Sequence, residues 1–191
     1  MPHIVLASQS PRRQELLGRM GIRDFSIVVP DVDESVDPSL SPEETVCAIA
    51  RRKGEAAAKM AAAEDIVITA DTMVFLGDAR LGKPRDEEDA LRMLTALSGA
   101  KHTVWTGVSV RCGEKEETFG VATDVYFRRC EERELRGYIA TGEPMDKAGS
   151  YGVQGLACLF VERIEGDFYN VMGLPIEALG RSLTRFGVEF F

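Results

Sequence analysis

The chain has 191 residues, of which 31 are Asp or Glu and 23 are Lys or Arg, so its formal net charge is −8. At roughly 150 residues per domain, this length predicts one domain over residues 1–191, in one body or in two lobes. A hydrophobic content of 45% excludes a wholly disordered chain, and no apolar run approaches the roughly 18 residues that span a bilayer. The start, MPHIVLASQSPRR, lacks the apolar core of a signal peptide, so we expect a cytoplasmic protein without a membrane segment.

The acidic balance argues against a general nucleic-acid binder, because such proteins normally carry a basic surface. It leaves room for a small phosphorylated ligand, since a few local cations form a positive pocket on an acidic body. The four cysteines are dispersed and form no CxxC pair, and the only histidines are His3 and His102. We therefore expect reduced, mostly buried cysteines and neither a zinc site nor a Cys–His nucleophile.

The first predicted elements are a strand, a helix and a second strand. Residues 3–8 predict the first, β-branched strand, and Ser10 and Pro11 then lead into a helix with an amphipathic stretch at 14–20. Ser10 as the N-cap and Pro11 at the first helical position are a strong start signal for that helix. Residues 25–30 predict the second strand, which leads into an acidic segment.

A long helix and a buried strand come next. Ser41 and Glu44 have the spacing of a capping box, which predicts a helix that runs to about residue 63. Residues 66–70 are a continuous apolar run, typical of a strand that is covered on both faces. This strand is predicted to end directly before Asp71.

The second half of the chain alternates helices, strands and one glycine-rich segment. Its predicted elements are a helix at 86–98, paired strands at 102–112 and 117–128, a helix at 131–141, an irregular segment at 142–155, a strand at 157–164 and a final helix from about 175. This mixed order predicts an α/β fold, a mixed sheet with flanking helices.

The first candidate site is the start of the first helix. Unpaired N–H groups and the helix dipole favour an anion there, and Arg12 and Arg13 add donors suited to phosphate oxygens. Adjacent helical residues point about 100° apart, so we assign phosphate to Arg13 and another part of the ligand to Arg12. The alternative is that both are ordinary surface arginines.

Two carboxylates and two lysines are further candidates. Asp71 follows a buried strand, where it can activate water or hold a divalent metal, or simply cap the next turn. Glu34 is either a metal ligand or one residue of a solvated acidic loop. Lys83 lies between Gly82, which lets the backbone come close to a ligand, and Pro84, which fixes the direction of the side chain. Lys53 by itself is typical of the solvated face of a helix.

The segment 146–155 is too glycine-rich for a helix and too rich in polar groups for a passive linker. Loops held in a fixed geometry often carry binding groups. In this segment Gln154 offers an amide donor and acceptor to a planar base.

Taken together, these motifs resemble the Maf family of nucleoside-triphosphate pyrophosphatases over nearly the whole chain, from about residue 4 to 178. The resemblance is carried by LASQSPRRQELL (6–17), VDE (32–34), ADT (70–72), GKPRD (82–86), LSG (97–99), TGEPMDKAGSYGVQG (141–155) and NVMGLP (170–175). Several long motifs in the right order are far more specific than any one of them.

The resemblance implies an elongated α/β fold, similar to that of inosine triphosphate pyrophosphatases, with a cleft between two lobes. It implies hydrolysis of a nucleoside triphosphate between the α and β phosphates, with Mg²⁺ or Mn²⁺ as cofactor. Asp71 would be the general base and, with Glu34, a metal ligand. The phosphate-binding residues would be Ser8, Arg13, Lys53 and Lys83. The residues that select the base would be Arg12, Thr72 and Gln154, which match the branch of the family that acts on dTTP and UTP.

Two other functions are compatible with the sequence. One is a pyrophosphatase for purine analogues such as inosine triphosphate, and the other is a regulator of cell division that binds nucleotide or protein without turnover. The intact set of Asp71, Lys83 and Glu34 disfavours the regulator. A homodimer is also possible, and no nucleic acid or membrane is expected as a partner.

Overall fold

The computed structural model describes residues 2–191 and confirms a mixed α/β fold for them. Their strands are β1 (Ile4–Leu6), β2 (Phe25–Ile27), β3 (Ile66–Leu76), β4 (Ala79–Leu81), β5 (Lys101–Cys112), β6 (Lys115–Phe127) and β7 (Val161–Glu165). Their α-helices are α1 (Pro11–Arg19), α2 (Pro42–Ala58), α3 (Glu87–Leu97), α4 (Glu132–Ile139), α5 (Phe168–Met172) and α6 (Ile176–Arg185).

The strands form one mixed sheet in the order β2-β1-β3-β5-β6-β7, and β4 pairs with the end of β3. β1 runs parallel to both β2 and β3, whereas the β3–β4 and β6–β7 pairs are antiparallel. Among residues 2–191, none of the helices is both long enough and apolar enough to cross a membrane.

The chain divides into two compact units, and strands β3, β5 and β6 contribute residues to both. The first unit comprises the residues up to Asp71 together with Thr106–Val121 and Gly173–Phe191. The second comprises Thr72–Trp105 and Ala122–Met172.

The first unit buries its apolar strands beneath helices. Leu6 of β1 and Ile68 of β3 are fully buried, as the continuous apolar runs predict for parallel strands that are covered on both faces. Helix α2 lies directly on β5 at Gly107, where an added Cβ would come 2.4 Å from the backbone carbonyl of Val46. Only glycine allows the helix to come this close to the strand.

The start of α2 is as predicted, but its end is not. Ser41 and Glu44 form both hydrogen bonds of the capping box. The helix ends at Ala58 instead of continuing to about residue 63. Beyond it, the Asp65 carboxylate accepts a hydrogen bond from the Ala62 backbone at 2.9 Å, and such side-chain bonds compete with helix formation.

The predicted end of β3 is also wrong, because the strand continues through Asp71 to Leu76. Its last residues pair with β4, Val74 opposite Leu81, in a hairpin that turns at Gly77 with a positive φ of 57°. Asp71 therefore lies inside a strand. Its parallel neighbour β1 has already ended at Leu6, which leaves the Asp71 region at the free edge of the parallel sheet.

The second unit follows the predictions except at β4, which was not predicted, and between residues 157 and 172. Asp86 caps the start of helix α3, and its side chain accepts from the Asp89 backbone at 2.7 Å. The residues predicted to start a strand at 157 instead form a 3₁₀ turn, Leu156–Leu159, and β7 begins at Val161. The short helix α5, which the sequence pattern did not predict, begins where the Asp167 carboxylate accepts from the Tyr169 backbone at 2.7 Å.

The four cysteines are free, as expected, but the prediction that most are buried is wrong. Cys47, Cys112 and Cys130 are half-buried and Cys158 is exposed. Their dispersal over separate elements explains why they neither pair nor pack together. Burial raises the pKa of the Cys47 thiol to about 11, which keeps it protonated and unreactive at neutral pH.

Candidate active site

The site in the first unit lies where β1 and β2 end beside the continuing strand β3. Leu6 of β1 pairs with Ile27 of β2 and with Ile68 of β3, and the Ala7 backbone still donates to the Ile68 carbonyl at 2.8 Å. Ser8, just after β1, therefore lies next to the part of β3 that holds Asp71, and the loop after β2 carries Glu34. Ligands of open α/β sheets bind at this edge.

Lys53 of α2 bridges the two candidate carboxylates. Its Nζ lies 2.8 Å from Asp71 Oδ1 and 2.8 Å from Glu34 Oε1. The Lys53 and Asp71 side chains are only 16% and 11% exposed, whereas Glu34 is 59% exposed. The ammonium group thus offsets negative charge where water is scarce. Lys53 was expected to bind phosphate, and its observed partners are the two carboxylates.

Close contact between α2 and the sheet sets this geometry. The Thr69 hydroxyl donates to the Ala50 carbonyl at 2.7 Å, and a Cβ on Gly54 would lie 3.3 Å from that hydroxyl oxygen. Thr69 and Asp71 are two residues apart in β3 and share one face of the strand. The helix that contacts Thr69 therefore brings Lys53, the neighbour of Gly54, to Asp71.

Arg13 lies at the start of α1 and points into the same edge. Its Nε donates to the Gly173 carbonyl at 2.8 Å, and its NH1 donates to Ser8 Oγ at 3.2 Å. Desolvation lowers the pKa of Arg13 below its ordinary value, although the residue keeps some exposed surface, and the nearby Asp71 charge opposes that shift. Ser8 is 8% exposed, so the hydrogen-bonded pair of the Ser8 hydroxyl and the Arg13 guanidinium is partly buried. Both groups carry hydrogen-bond donors.

The predicted cap of α1 is partly wrong. Ser10 occupies the N-cap position with extended backbone, but its side chain makes no capping hydrogen bond. Its backbone N–H instead donates to Ser8 Oγ at 3.2 Å. Arg12, the next helical residue after Pro11, is half-buried.

Arg52 makes contacts beside the candidate site that the sequence interpretation missed. Its guanidinium donates to the Ser35 carbonyl at 2.9 Å and also to the Asp33 carbonyl, the two residues that flank Glu34. The Asp33 carboxylate in turn accepts from the Ser35 backbone at 2.9 Å. Arg52 thus ties the loop of Glu34 to α2, beside Lys53. The only signal in the sequence is its position next to Lys53, and a charged helical residue is usually solvated.

The donor chemistry of this edge fits a divalent cation. Two carboxylate oxygens, from Glu34 and Asp71, converge on one cationic group, and hard oxygen donors are those that Mg²⁺ and Mn²⁺ prefer. No group of three or more His, Cys, Asp or Glu side chains that could hold a metal occurs among the described residues. Further ligands would have to be substrate phosphates and water, as is usual for Mg²⁺ sites.

The second unit holds the other three predicted residues. The Gly149 backbone donates to the Gly82 carbonyl at 3.0 Å, which ties the 146–155 segment to the residue before Lys83. Gly149 also packs on Val74 of β3, where an added Cβ would come 2.9 Å from a methyl group. Thr72 is half-buried in the same strand, and Lys83 and Gln154 are exposed.

Comparison with known proteins identifies the family. Residues 3–186 match the family described as Maf-like protein. The chain belongs to the Maf family. A dTTP/UTP pyrophosphatase of Geobacillus sp. is 46% identical over 98% of this chain and 100% of its own length. A dTTP/UTP pyrophosphatase of Vibrio cholerae is 48% identical over 96% of this chain and 97% of its own length.

Solved structures support the fold of this Maf-family chain. The Ham1 protein of Staphylococcus aureus matches 95% of this chain and 98% of its own, with a TM-score of 0.51 and 17% identity. A HAM1 protein from Coxiella burnetii matches 97% and 100%, with a TM-score of 0.50 and 14% identity. The full-length matches to named pyrophosphatases place this Maf-family member among the hydrolases.

Proposed function

We propose that this Maf-family chain hydrolyses dTTP and UTP to the nucleoside monophosphate and pyrophosphate. The names of its relatives support this substrate class. The observation that carries the proposal is the cluster in which Lys53 bridges Asp71 and Glu34 next to the partly buried guanidinium of Arg13. Cleavage of a phosphoanhydride depends mainly on charge neutralisation and positioning, and this cluster provides cations and carboxylates together.

The triphosphate would be bound by donors that the fold already orients. Arg13 is oriented by its bond to the Gly173 carbonyl, and it shares Ser8 Oγ with the start of α1. Preformed donors lose little conformational entropy on binding. By the family resemblance, Lys83 supplies a further cation for the phosphates.

Asp71 is the proposed general base. It is buried, and its Oδ1 bond with Lys53 fixes the orientation of the carboxylate, which leaves Oδ2 for a water molecule. Lys53 and Glu34 position that carboxylate. A divalent cation bound by Asp71 and Glu34 would neutralise phosphate charge during the reaction.

Base selection is assigned to Arg12, Thr72 and Gln154. Uracil and thymine present O4 and O2 acceptors with an N3–H donor, whereas cytosine has a donor at position 4 and an acceptor at N3. Arg12 only donates, and the Gln154 amide offers one acceptor for N3–H and one donor for a carbonyl. A hydrogen-bonding site rejects an analogue that leaves its polar groups unpaired.

A pyrophosphate-release assay over a dozen nucleotides, each with Mg²⁺, with Mn²⁺ and with chelator alone, tests the proposal. We expect dTTP and UTP to exceed CTP by at least about 30-fold in kcat/KM, one lost pairing being worth roughly 2 kcal/mol. Gln154→Ala should reduce this ratio more than it reduces kcat. Turnover without added metal would refute the metal site. Preference for inosine triphosphate would refute the substrate assignment, and absence of pyrophosphate from every nucleotide would refute the enzyme activity.

A further inference from the structure

The turn that carries Gln154 is held from both sides by one pair of side chains. The Gly155 backbone donates to the Gly152 carbonyl at 3.0 Å, which closes a tight turn with Gln154 near its tip. The Tyr138 hydroxyl accepts from the Gly152 backbone at 3.2 Å, before the tip. A carboxylate oxygen of Glu143 accepts from the Leu156 backbone at 3.1 Å, after it.

The two side chains are also joined to each other. The Tyr138 hydroxyl donates to Glu143 Oε1 at 2.9 Å, so one continuous chain of hydrogen bonds runs from the Gly152 amide to the Leu156 amide. Tyr138 is 5% exposed, and its ring packs edge-to-face on Phe160 with centroids 5.4 Å apart. Burial raises the pKa of Tyr138, so the hydroxyl stays protonated and able to donate.

Packing leaves the turn little freedom to move relative to this pair. A Cβ on Gly155 would come 2.2 Å from Glu143 Oε1, and a Cβ on Gly152 would come 2.8 Å from the Lys147 side chain. The Lys147 ammonium group donates to the Glu143 carbonyl at 2.6 Å, and this bond holds the Lys147 side chain against Gly152. A side chain at either glycine would therefore displace Glu143 or Lys147, and Gln154 remains exposed between the two glycines.

From this arrangement we infer that Tyr138 and Glu143 are positioning residues for base selection, because they fix the turn that presents the Gln154 amide. The inference rests on the proposed function of Gln154. An amide that must match the donors and acceptors of one base works only if its backbone is held to within about 0.5 Å. The Gln154 side chain is exposed, so its position depends on the backbone that carries it.

The test is Tyr138→Phe, which removes the hydroxyl and keeps the packed ring. We expect the preference for UTP over CTP, as a ratio of kcat/KM, to fall about 3- to 10-fold, the usual effect of one neutral hydrogen bond. The change should appear mainly in KM, with kcat for UTP within about 2-fold of wild type. In the Gln154→Ala background, Tyr138→Phe should change the ratio no further, because the two residues act through one contact.

Tyr126→Phe is the matched control. The Tyr126 hydroxyl donates to Glu165 at 2.8 Å, on strands away from the turn, and its loss should leave the ratio unchanged. Hydrogen exchange of the Gly152 and Leu156 amides can be measured without substrate. Exchange should be faster in Tyr138→Phe than in wild type and unchanged in Tyr126→Phe. Unchanged exchange would overturn the inference, as would faster exchange with an unchanged ratio. If the wild type hydrolyses no nucleotide, the proposed function fails while the exchange data still test the hold on the turn.

Discussion

The Lys53 ammonium group lies 2.8 Å from one carboxylate oxygen of Asp71, and in the proposed mechanism the second oxygen takes a proton from water. Asp71→Asn keeps the size of the side chain and removes the basic oxygen. We expect kcat for UTP to fall about 10²- to 10⁴-fold, the usual contribution of a general base. Steady-state pyrophosphate release measures it.

Asp78→Asn is the control for that substitution, because it makes the same chemical change in the exposed turn between β3 and β4. It should leave kcat within about 2-fold of wild type. The melting temperature of both variants should be measured, since loss of fold would also reduce turnover. A folded Asp71→Asn variant that kept more than a third of wild-type turnover would remove Asp71 from the mechanism.

At the scale of elements, the position of α2 depends on Gly107 of β5. The backbone carbonyl of Val46 occupies the space that a Cβ would need, 2.4 Å away, and a helix backbone cannot rotate aside as a side chain does. Gly107→Ala should therefore push α2 off the sheet and destabilise the protein by about 1–3 kcal/mol, the usual cost of overpacking. Since α2 carries Lys53, turnover should fall as well.

Thermal unfolding measures this effect, at about 2–4 °C per kcal/mol for a chain of this size. Gly18→Ala is the matched control, because Gly18 lies in α1 with nothing within 4 Å of an added Cβ. That change should be neutral or stabilise slightly, since alanine favours helix more than glycine does. Equal melting temperatures for Gly107→Ala and wild type would show that α2 is not held against β5 in this way.

At the scale of the whole molecule, the free energy of unfolding should decrease in two steps as the pH is lowered. His102 is 1% exposed, its Nε2 is bonded to the Tyr151 hydroxyl at 2.8 Å, and its Nδ1 has no hydrogen-bond partner among the described residues. A proton added at Nδ1 would find no acceptor. Burial accordingly lowers the pKa of His102 to about 4, although the Asp124 charge opposes the shift.

Because the unfolded chain binds this proton near pH 6.5 and the folded chain only near pH 4, the stability that neutral His102 confers is complete above pH 6.5 and is lost as the pH falls to 4. The shift corresponds to about 3 kcal/mol. A second loss should follow between about pH 4.5 and 2, because hydrogen bonds from arginine lower the pKa of Asp89 and of Glu134 to about 2.

Urea unfolding midpoints at pH 7.5, 6.5, 5.5 and 4.5 measure the first step, and a midpoint at pH 3 measures the second. His102→Gln keeps an amide for the Tyr151 hydroxyl and does not titrate, so its midpoint should change much less than that of wild type between pH 6.5 and 4.5. The second step should persist in both proteins. Parallel profiles for the two proteins above pH 4.5 would refute the assignment to His102.

Sequence alone was sufficient where the determinants are local. The capping box of α2 needs only Ser41 and Glu44, and the buried strand at Ile66–Ala70 needs only its apolar run. The family motifs likewise identified Asp71, Arg13 and Gln154 as candidates without any coordinates. The end of β3 could not be located, because whether Asp71 ends a strand depends on pairing with β4.

Tertiary structure decided what those candidates touch. Lys53 and Asp71 are 18 residues apart, and Arg13 and the Gly173 carbonyl are 160 apart, so helical and strand periodicities do not relate them. Arg52 and Tyr138 were missed for the same reason: a lone charge or aromatic in a helix has no local pattern that shows which loop it will hold. The candidate residues of the site could be identified from the sequence. The contacts that orient them depend on close packing between distant segments, as at Gly54 and Gly107.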